Sequence, residues 1–315
     1  DKVALLLDIE LAIMLHHYQL DSDEKLVAGT TSFVEQGLES GGHVLVHSTK
    51  SRVALFKEVL GTHPRLEYGL DEDLYLSPSR TLFAYQRKLA ESPRPIELWA
   101  TGTVPLGDDA AGHPAWGRYE SLVNEVLGPY AFHGLCSYDT QVLPERTIAA
   151  AKAGHPHVGA GDQRTACPEY QHPADFLADP LADVPDPPSG PPGATMTIPA
   201  VHHLRQARDL VRRTCESSSA VARDTVDDFV AAVNEVVVNG LYHGVAPVRL
   251  ALWADPARLT CLVTDLGLGI ADRLAGYRYP EPDGPKGLWV ARQLCEDIFV
   301  GSLPGGGSGV LVIAE

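Results

Sequence analysis

Basic residues are scarce in this sequence: 25 Lys and Arg stand against 41 Asp and Glu, for a formal net charge of -16. Such a surface repels phosphate backbones, so we expect no direct nucleic-acid partner, and a basic protein partner fits better. The P-loop pattern G-x-x-x-x-G-K-[ST] is also missing, which excludes that family of phosphate-binding folds.

Long apolar runs are missing too. The stretch 3–15 is apolar but interrupted by Asp8 and Glu10, and it is well short of the ~20 residues that span a bilayer. No basic segment precedes it, so it does not resemble a signal peptide. We expect a buried helix or strand there, within an N-terminal extension (1–15), and no membrane partner.

Cysteine is sparse, and the number of cysteines is odd. None of the five is spaced as a metal-ligand pair, and no histidine pair joins a Cys or acidic pair at zinc spacing. The pattern therefore predicts no zinc site and favours a reduced, cytoplasmic setting.

The 315 residues predict two domains joined by a linker. Residues 168–199 are dense in Pro, Asp and Gly and could not bury enough apolar surface to offset their ordering entropy. The predicted boundaries are a first domain at 16–160, a linker at 161–197 and a second domain at 198–315. Before the linker, strands alternate with helices, which predicts an α/β fold with a mostly parallel sheet. After it, two helices, a hairpin, a loop, a helix and a second hairpin predict an α/β sandwich.

The second domain contains a helix with polar residues on one face. In AAVNEVVVNGLYHG (231–244), Glu235, Asn239 and His243 follow one another at intervals of four and project from the same side. An exposed polar edge of a buried helix is the structural alternative.

Two glycine-containing segments follow this helix. In TDLGLGI, a predicted strand ends at Asp265 and is followed by Gly267 and Gly269. An Asp at the end of a strand can accept a hydrogen bond from the adenine amine. The glycines let the backbone approach a flat ligand closely. In GPKGLW, Lys286 and Gly287 open a helix whose free N–H groups attract anions. A strand-to-loop turn and a helix cap are the structural alternatives.

Together these segments resemble the asparagine box and the two glycine boxes of GHKL (Bergerat-fold) ATPases, closest to bacterial anti-sigma-factor serine kinases, with 270–286 as the ATP lid. The resemblance implies that Glu235 is the general base, that Asn239 is the Mg²⁺ ligand and that Asp265 reads adenine. It implies further nucleotide contacts from a set of residues in the same segments and the last hairpin: His243, Gly267, Gly269, Lys286, Gly287, Leu288 and Ser308.

Two departures from the family pattern bear on activity. Pro285 stands where the family has a glycine, and it lacks an N–H group for a phosphate. Ser308-Gly309 replaces a common Thr near the adenine. These two departures leave open that ATP binding is weak or turnover slow. They also leave open that the domain is a non-catalytic nucleotide-binding module.

The resemblance implies a signalling regulator that binds Mg-ATP and acts as an anti-sigma factor or serine protein kinase. Its partner would be a sigma factor or an anti-sigma-antagonist protein, and the related modules often form homodimers through the ATPase sheet. A ligand-gated protein-binding module is the alternative. His202 and His203 begin the first helix, but no two-helix phosphoacceptor hairpin precedes the core, which favours a structural role over histidine autophosphorylation.

The first domain resembles the MEDS sensory domain (methanogen/methylotroph type) in His17-Tyr18 with DSDEKL, GLESGGHVLV, RYESLVNEVL, LCSYDTQVLPE and AGHP. The resemblance implies a RecA/KaiC-like α/β fold without nucleotide machinery, and an unknown small-molecule signal. The segment 99–107 departs from the family pattern. A set of polar residues is expected to line a cleft at the strand ends, unless they only cap a turn and decorate a helix: His17, Arg118, Glu120, Cys136, Tyr138 and Asp139.

Overall fold

The computed structural model describes residues 10–16, 22–102, 104, 114–139, 143–160, 163–173, 175, 184–218, 220–270, 272, 274–281, 284–303 and 306–315. The chain divides into two compact units, 1–176 and 177–315. Each has its own hydrophobic core. No helix in these ranges is long and apolar enough to cross a membrane.

The first unit is built on a seven-stranded sheet of order β3-β2-β4-β5-β1-β6-β7. Every neighbouring pair is parallel except β6–β7. The predicted α/β fold with a mostly parallel sheet is confirmed. The strands are β1 (Glu10–His16), β2 (His43–Ser48), β3 (Leu66–Leu70), β4 (Leu98–Gly102), β5 (Phe132–Asp139), β6 (His157–Ala160) and β7 (Gln163–Ala166).

Helices connect these strands, as parallel pairing requires. They are α1 (Ser22–Glu39), α2 (Lys50–Leu60), α3 (Asp71–Leu74), α4 (Pro78–Ala90), α5 (Pro114–Leu127) and α6 (Glu145–Gly154). Local chemistry sets their ends: Ser77 accepts a hydrogen bond from the Arg80 amide at the start of α4, where Pro78 needs no partner. Gly61, with φ 67°, ends α2.

The second unit is a five-stranded antiparallel sheet of order β11-β12-β10-β9-β8, packed with helices. Phe229 and Val233 of the long helix and Leu250 and Leu252 of the sheet are among its buried core residues. The predicted sandwich is confirmed. Its elements are β8 (Ala194–Ile198), a 3₁₀ turn (Val201–His203), α7 (Leu204–Ser218), α8 (Arg223–His243), β9 (Val248–Ala254), β10 (Leu259–Asp265), α9 (Gly287–Leu294), β11 (Asp297–Ser302) and β12 (Ser308–Ala314).

The structure corrects the predicted role of residues 10–15 as part of an extension. They belong to β1, which pairs with β5 on one side and β6 on the other. Strands of a parallel sheet read as continuous apolar runs, so the stretch gives no alternating signal that separates strand from helix. Residues 1–9 lie outside the described part of the chain.

The predicted linker 161–197 also contains strand residues at both ends. Residues 163–166 form β7, and 194–197 belong to β8, which pairs with β9 at the edge of the second sheet. Both are short edge strands next to turn-forming residues, and such strands carry a weak sequence signal.

Candidate functional site

The second unit contains a cavity of about 620 Å³, within the size range of small-molecule sites. Helix α8, the end of β10, the loop 266–286 and the start of α9 enclose it. Ten residues of this unit are predicted from the sequence to be catalytic or nucleotide-binding. Eight of them line the cavity: Asn239, His243, Asp265, Gly267, Gly269, Gly287, Leu288 and Ser308.

Asp265 is held at one end of this cavity by backbone donors. Its Oδ1 accepts hydrogen bonds from the amides of Gly267 (2.7 Å) and Val245 (3.1 Å). Among the described residues, Oδ2 accepts none. One carboxylate oxygen therefore fixes the side chain, and the other is available to a ligand amine.

Glycines make room for this carboxylate. A Cβ on Gly244 would lie 2.5 Å from Asp265 Cγ, and one on Gly267 would lie 2.7 Å from Oδ1. A Cβ on Gly307 would lie 2.6 Å from the Asp265 carbonyl oxygen. Ser308 stands opposite Asp265 in the β10–β12 register and is buried. Only residues without a side chain fit at the three glycine positions.

At the other end of the cavity, α9 begins against α8. A Cβ on Gly287 would lie 2.9 Å from Glu235 Oε2 and 3.3 Å from Asn239 Oδ1. The first N–H groups of α9 have no partner within the helix and carry its positive dipole end. The carboxylate, the amide and these N–H groups therefore meet in one place.

Glu235 adjoins the cavity but does not line it. Its Oε1 lies 3.5 Å from Asn234 Nδ2, and Asn234 Oδ1 in turn accepts from Arg208. Lys286, the other nominated residue outside the lining, is exposed and directly precedes α9. Pro285 does line the cavity, and its backbone nitrogen has no hydrogen to donate to a ligand.

The loop between β10 and α9 is attached by a buried arginine. Arg292 donates to the carbonyls of Ile298 (2.7 Å) and Ala275 (3.3 Å), and its guanidinium lies 3.7 Å from the Tyr277 ring centroid. Gly276 has φ 78°, and a Cβ there would lie 2.8 Å from Leu288 Cγ. The middle of the loop is thus packed on α9.

Several lining residues were not predicted from the sequence: Gly240, Gly244, Asp272, Arg278, Tyr279 and Trp289. Gly240 could have been found, since glycine is unfavourable inside a helix unless something approaches closely, whereas Gly244 lies at the end of α8, where glycine is common. The contributions of the loop residues depend on how the loop folds back, which no local pattern reports.

In the first unit, Glu120, Cys136 and Tyr138 lie close together, but Glu120 and Tyr138 are buried and do not line an open cleft at the strand ends. Tyr138 Oη donates to Glu120 Oε1 at 2.7 Å, and the Glu120 side chain is buried. Burial raises the Glu120 pKa, opposed by His155 and by the Tyr138 hydrogen bond. Burial also raises the pKa of the Cys136 thiol, and the Glu120 charge adds to that rise.

The other three nominated residues of this unit are not described in full. His17 and the side chains of Arg118 and Asp139 lie outside the described part of the chain. His155, which no sequence pattern singled out, takes a place beside Glu120.

The structure shows a two-domain chain in which a mostly parallel α/β domain precedes an α/β sandwich that contains the large cavity. Residues 17–156 match the family model MEDS, the "MEthanogen/methylotroph, DcmR Sensory domain", and residues 199–315 match the "Histidine kinase-like ATPase domain". The chain therefore carries a MEDS domain followed by a histidine-kinase-like ATPase domain.

Among solved structures, the chain is similar to the histidine kinase domain of a blue-light activated histidine kinase from Erythrobacter litoralis EL346. That match has 18% identity, covers 54% of this chain and 72% of the other, and has a TM-score of 0.24. No curated protein matches the chain.

Proposed function

We propose that the second unit binds Mg-ATP and that the chain is a signalling regulator of the anti-sigma serine kinase type. It would bind a sigma factor or phosphorylate a serine on an anti-sigma-antagonist protein, with the first unit in control. The observation that carries the proposal is that Asn239, Asp265 and Gly287, distant in sequence, line one cavity.

The adenine base fits at Asp265. With Oδ1 occupied by two backbone amides, Oδ2 accepts the exocyclic amine. Gly244 and Gly267 leave the room that the carboxylate needs to be held in this position.

The triphosphate fits at the α8–α9 junction. Asn239 Oδ1 is an oxygen ligand of the kind that Mg²⁺ prefers, and the α9 N-terminus attracts phosphate oxygens. Bound Mg-ATP supplies the transferable phosphoryl group. Glu235, one helical turn from Asn239, would take the proton of an incoming serine hydroxyl.

The acidic surface supports a protein partner. A net charge of -16 disfavours nucleic acid and steers a basic protein surface toward the chain. This charge favours an anti-sigma mechanism in which the chain acts on a protein partner and not on promoter DNA.

Nucleotide binding is tested by calorimetry on the full chain with ATP and Mg²⁺. We expect Asp265→Asn to weaken ATP binding at least about tenfold. When the amide oxygen keeps the place of Oδ1, the amide NH₂ group replaces the acceptor Oδ2 with a donor. Asp255→Asn, in the β9–β10 turn, is the matched control and should bind as the parent does. Equal affinity of the two variants would refute the adenine assignment.

Phosphate transfer is tested with Mg-ATP and the antagonist captured from the native cell. Glu235→Gln should keep ATP affinity and lower the transfer rate by about 10²–10⁴-fold, the usual worth of a general base. Glu216→Gln on α7 is the control. Unchanged transfer in Glu235→Gln would remove Glu235 from the chemistry.

A non-catalytic nucleotide-binding or ligand-gated module is the second candidate. It is favoured by Pro285 at the cavity wall, without an N–H group, and by Lys286 outside the lining. ATP binding without phosphate transfer to any captured partner would select it over the kinase. Undetectable ATP binding at millimolar nucleotide would refute the kinase and favour a protein-binding module with a degenerate ATP site.

A further inference from the structure

Three side chains with metal-binding atoms meet inside the first unit. Glu120 lies on α5, Cys136 on β5 and His155 directly after α6, and one potential ligand atom from each lies within 4.8 Å of the other two. Glu120 and His155 are 1% and 0% exposed. The residues are too far apart in sequence to form a recognisable motif, which is why the spacing of cysteines and histidines gave no sign of them.

His155 Nε2 and Glu120 Oε2 face each other across a buried contact that no hydrogen bond satisfies. His155 Nδ1 lies 2.7 Å from the Ala151 carbonyl, which accepts only, so Nδ1 carries the hydrogen. In the neutral ring Nε2 is then a lone-pair acceptor. It lies 3.1 Å from Glu120 Oε2, another acceptor, and neither atom has a hydrogen-bond partner. Two buried acceptors at this distance need a cation between them, either a proton or a metal ion.

The surroundings resemble the outer sphere of a metal site. The Ala151 carbonyl fixes the histidine tautomer, and the Tyr138 hydroxyl orients the carboxylate through Oε1, leaving Oε2 toward His155. A cavity of about 20 Å³, room for one water, borders both Glu120 and Cys136.

We propose that Glu120 Oε2, Cys136 Sγ and His155 Nε2 bind one divalent transition-metal ion of the Zn²⁺ class. A fourth ligand, water or a small molecule, would occupy the adjoining cavity. Nitrogen, oxygen and sulfur donors together suit Zn²⁺ and Co²⁺, whereas Ca²⁺ and Mg²⁺ prefer oxygen alone. A thiolate and a carboxylate cancel the charge of a divalent ion, so the buried site is neutral when filled.

The test uses the full chain, stripped with a chelator and kept free of nucleotide. Co²⁺ is the probe, because its visible bands report coordination geometry and its near-ultraviolet charge-transfer band reports a bound thiolate. We expect one Co²⁺ per chain, a thiolate band and displacement by Zn²⁺. Zn²⁺ should also raise the thermal midpoint, since it binds only the folded site.

Three variants assign the ligands. Cys136→Ser should abolish the thiolate band. Glu120→Gln and His155→Gln should each weaken Co²⁺ binding by at least about a hundredfold, because the loss of a direct ligand costs more affinity than the loss of an outer-sphere partner. Cys167→Ser is the matched control: that thiol is also buried in the first unit, but it contacts Lys152 and Glu169. Circular dichroism checks that each variant is folded.

Absence of Co²⁺ binding at sub-millimolar metal would overturn the proposal and leave a proton shared between His155 and Glu120. Binding that persists with its thiolate band in folded Cys136→Ser, or that is lost only in Cys167→Ser, would overturn it as well.

Discussion

The Asp265 carboxylate occupies a space that exists only because its neighbours are glycines. Gly244 has φ -88°, an ordinary value for any residue, so the objection to a side chain there is steric: its Cβ would lie 2.5 Å from Asp265 Cγ and 2.6 Å from the Gly240 carbonyl oxygen. Gly244→Ala should displace the carboxylate, weaken ATP binding at least about tenfold and cost about 1–3 kcal/mol of stability. Calorimetry and urea denaturation measure the two effects.

Gly193→Ala is the control for this variant. A Cβ there meets its nearest neighbours at 3.7 Å, an ordinary contact, so both ATP affinity and stability should stay at the parent values. Equal ATP affinity for Gly244→Ala and the parent would show that the nucleotide does not depend on the position of Asp265.

His47 on β2 gives the first unit a dependence on pH. Burial lowers its pKa from the ordinary 6.5, with Lys88 acting in the same direction and Glu67 and Asp73 opposing. Below pH 6.5 the His47 side chain binds a proton in the unfolded chain but not yet in the folded chain. Stability therefore falls as the pH drops through 6.5 toward the lower pKa of the folded state. We expect His47→Gln to reduce this loss in urea midpoints measured from pH 7.5 to 5.5.

The exposed His63 supplies the comparison. His63→Gln, measured in the same way, controls for the replacement of a histidine by glutamine in this unit. A profile that is equally steep in the parent and in His47→Gln would assign the acid sensitivity to other groups.

Residues could be predicted from the sequence where the chemistry is local. Asp265, Gly267 and Gly269 lie within five positions, and Asn239 follows Glu235 by one helical turn, so both sets form a pattern that can be read. Gly244 and His155 gave no such signal, because what matters about them is the approach of Asp265 and Glu120 from other elements.

Among the elements, the loop between β10 and α9 depends on the buried guanidinium of Arg292. Arg292→Met keeps the volume but removes the donors to Ala275 and Ile298, leaving two carbonyls without a charged partner. We expect a loss of about 2–4 kcal/mol in stability and faster ATP release, because the loop then loses its attachment. Stopped-flow displacement of a fluorescent ATP analogue measures the release.

Arg258→Ala controls for loss of a positive charge in the same unit. Arg258 forms an exposed pair with Glu315 at 3.4 Å, which should contribute less than about 1 kcal/mol. Release rates that do not differ between Arg292→Met and Arg258→Ala would mean that the loop does not limit ATP dissociation.

Elements were predictable where their pattern is long. The 21-residue α8 and the strand β10 follow from apolar spacing. β8 was not found, because five residues at a sheet edge, next to a Pro- and Gly-rich segment, give too few positions for an alternating pattern.

At the scale of the whole molecule, every described residue that lines the large cavity belongs to the second unit. That unit also has its own core. We therefore expect the fragment 177–315 to fold alone and to bind ATP with the affinity of the full chain, as circular dichroism and calorimetry would show. An unfolded fragment, or one with altered affinity, would mean that the first unit contributes to the nucleotide site.

The strand order of the second sheet also governs how the protein emerges from the ribosome. β12 lies between β10 and β11, and all seven of its residues are buried. During synthesis β10 has an unpaired edge until residues 308–314 leave the exit tunnel, and Ser308 reaches Asp265 only at that moment. The first unit is translated earlier and can fold first, so it would be complete while the histidine-kinase-like ATPase domain still lacks β12.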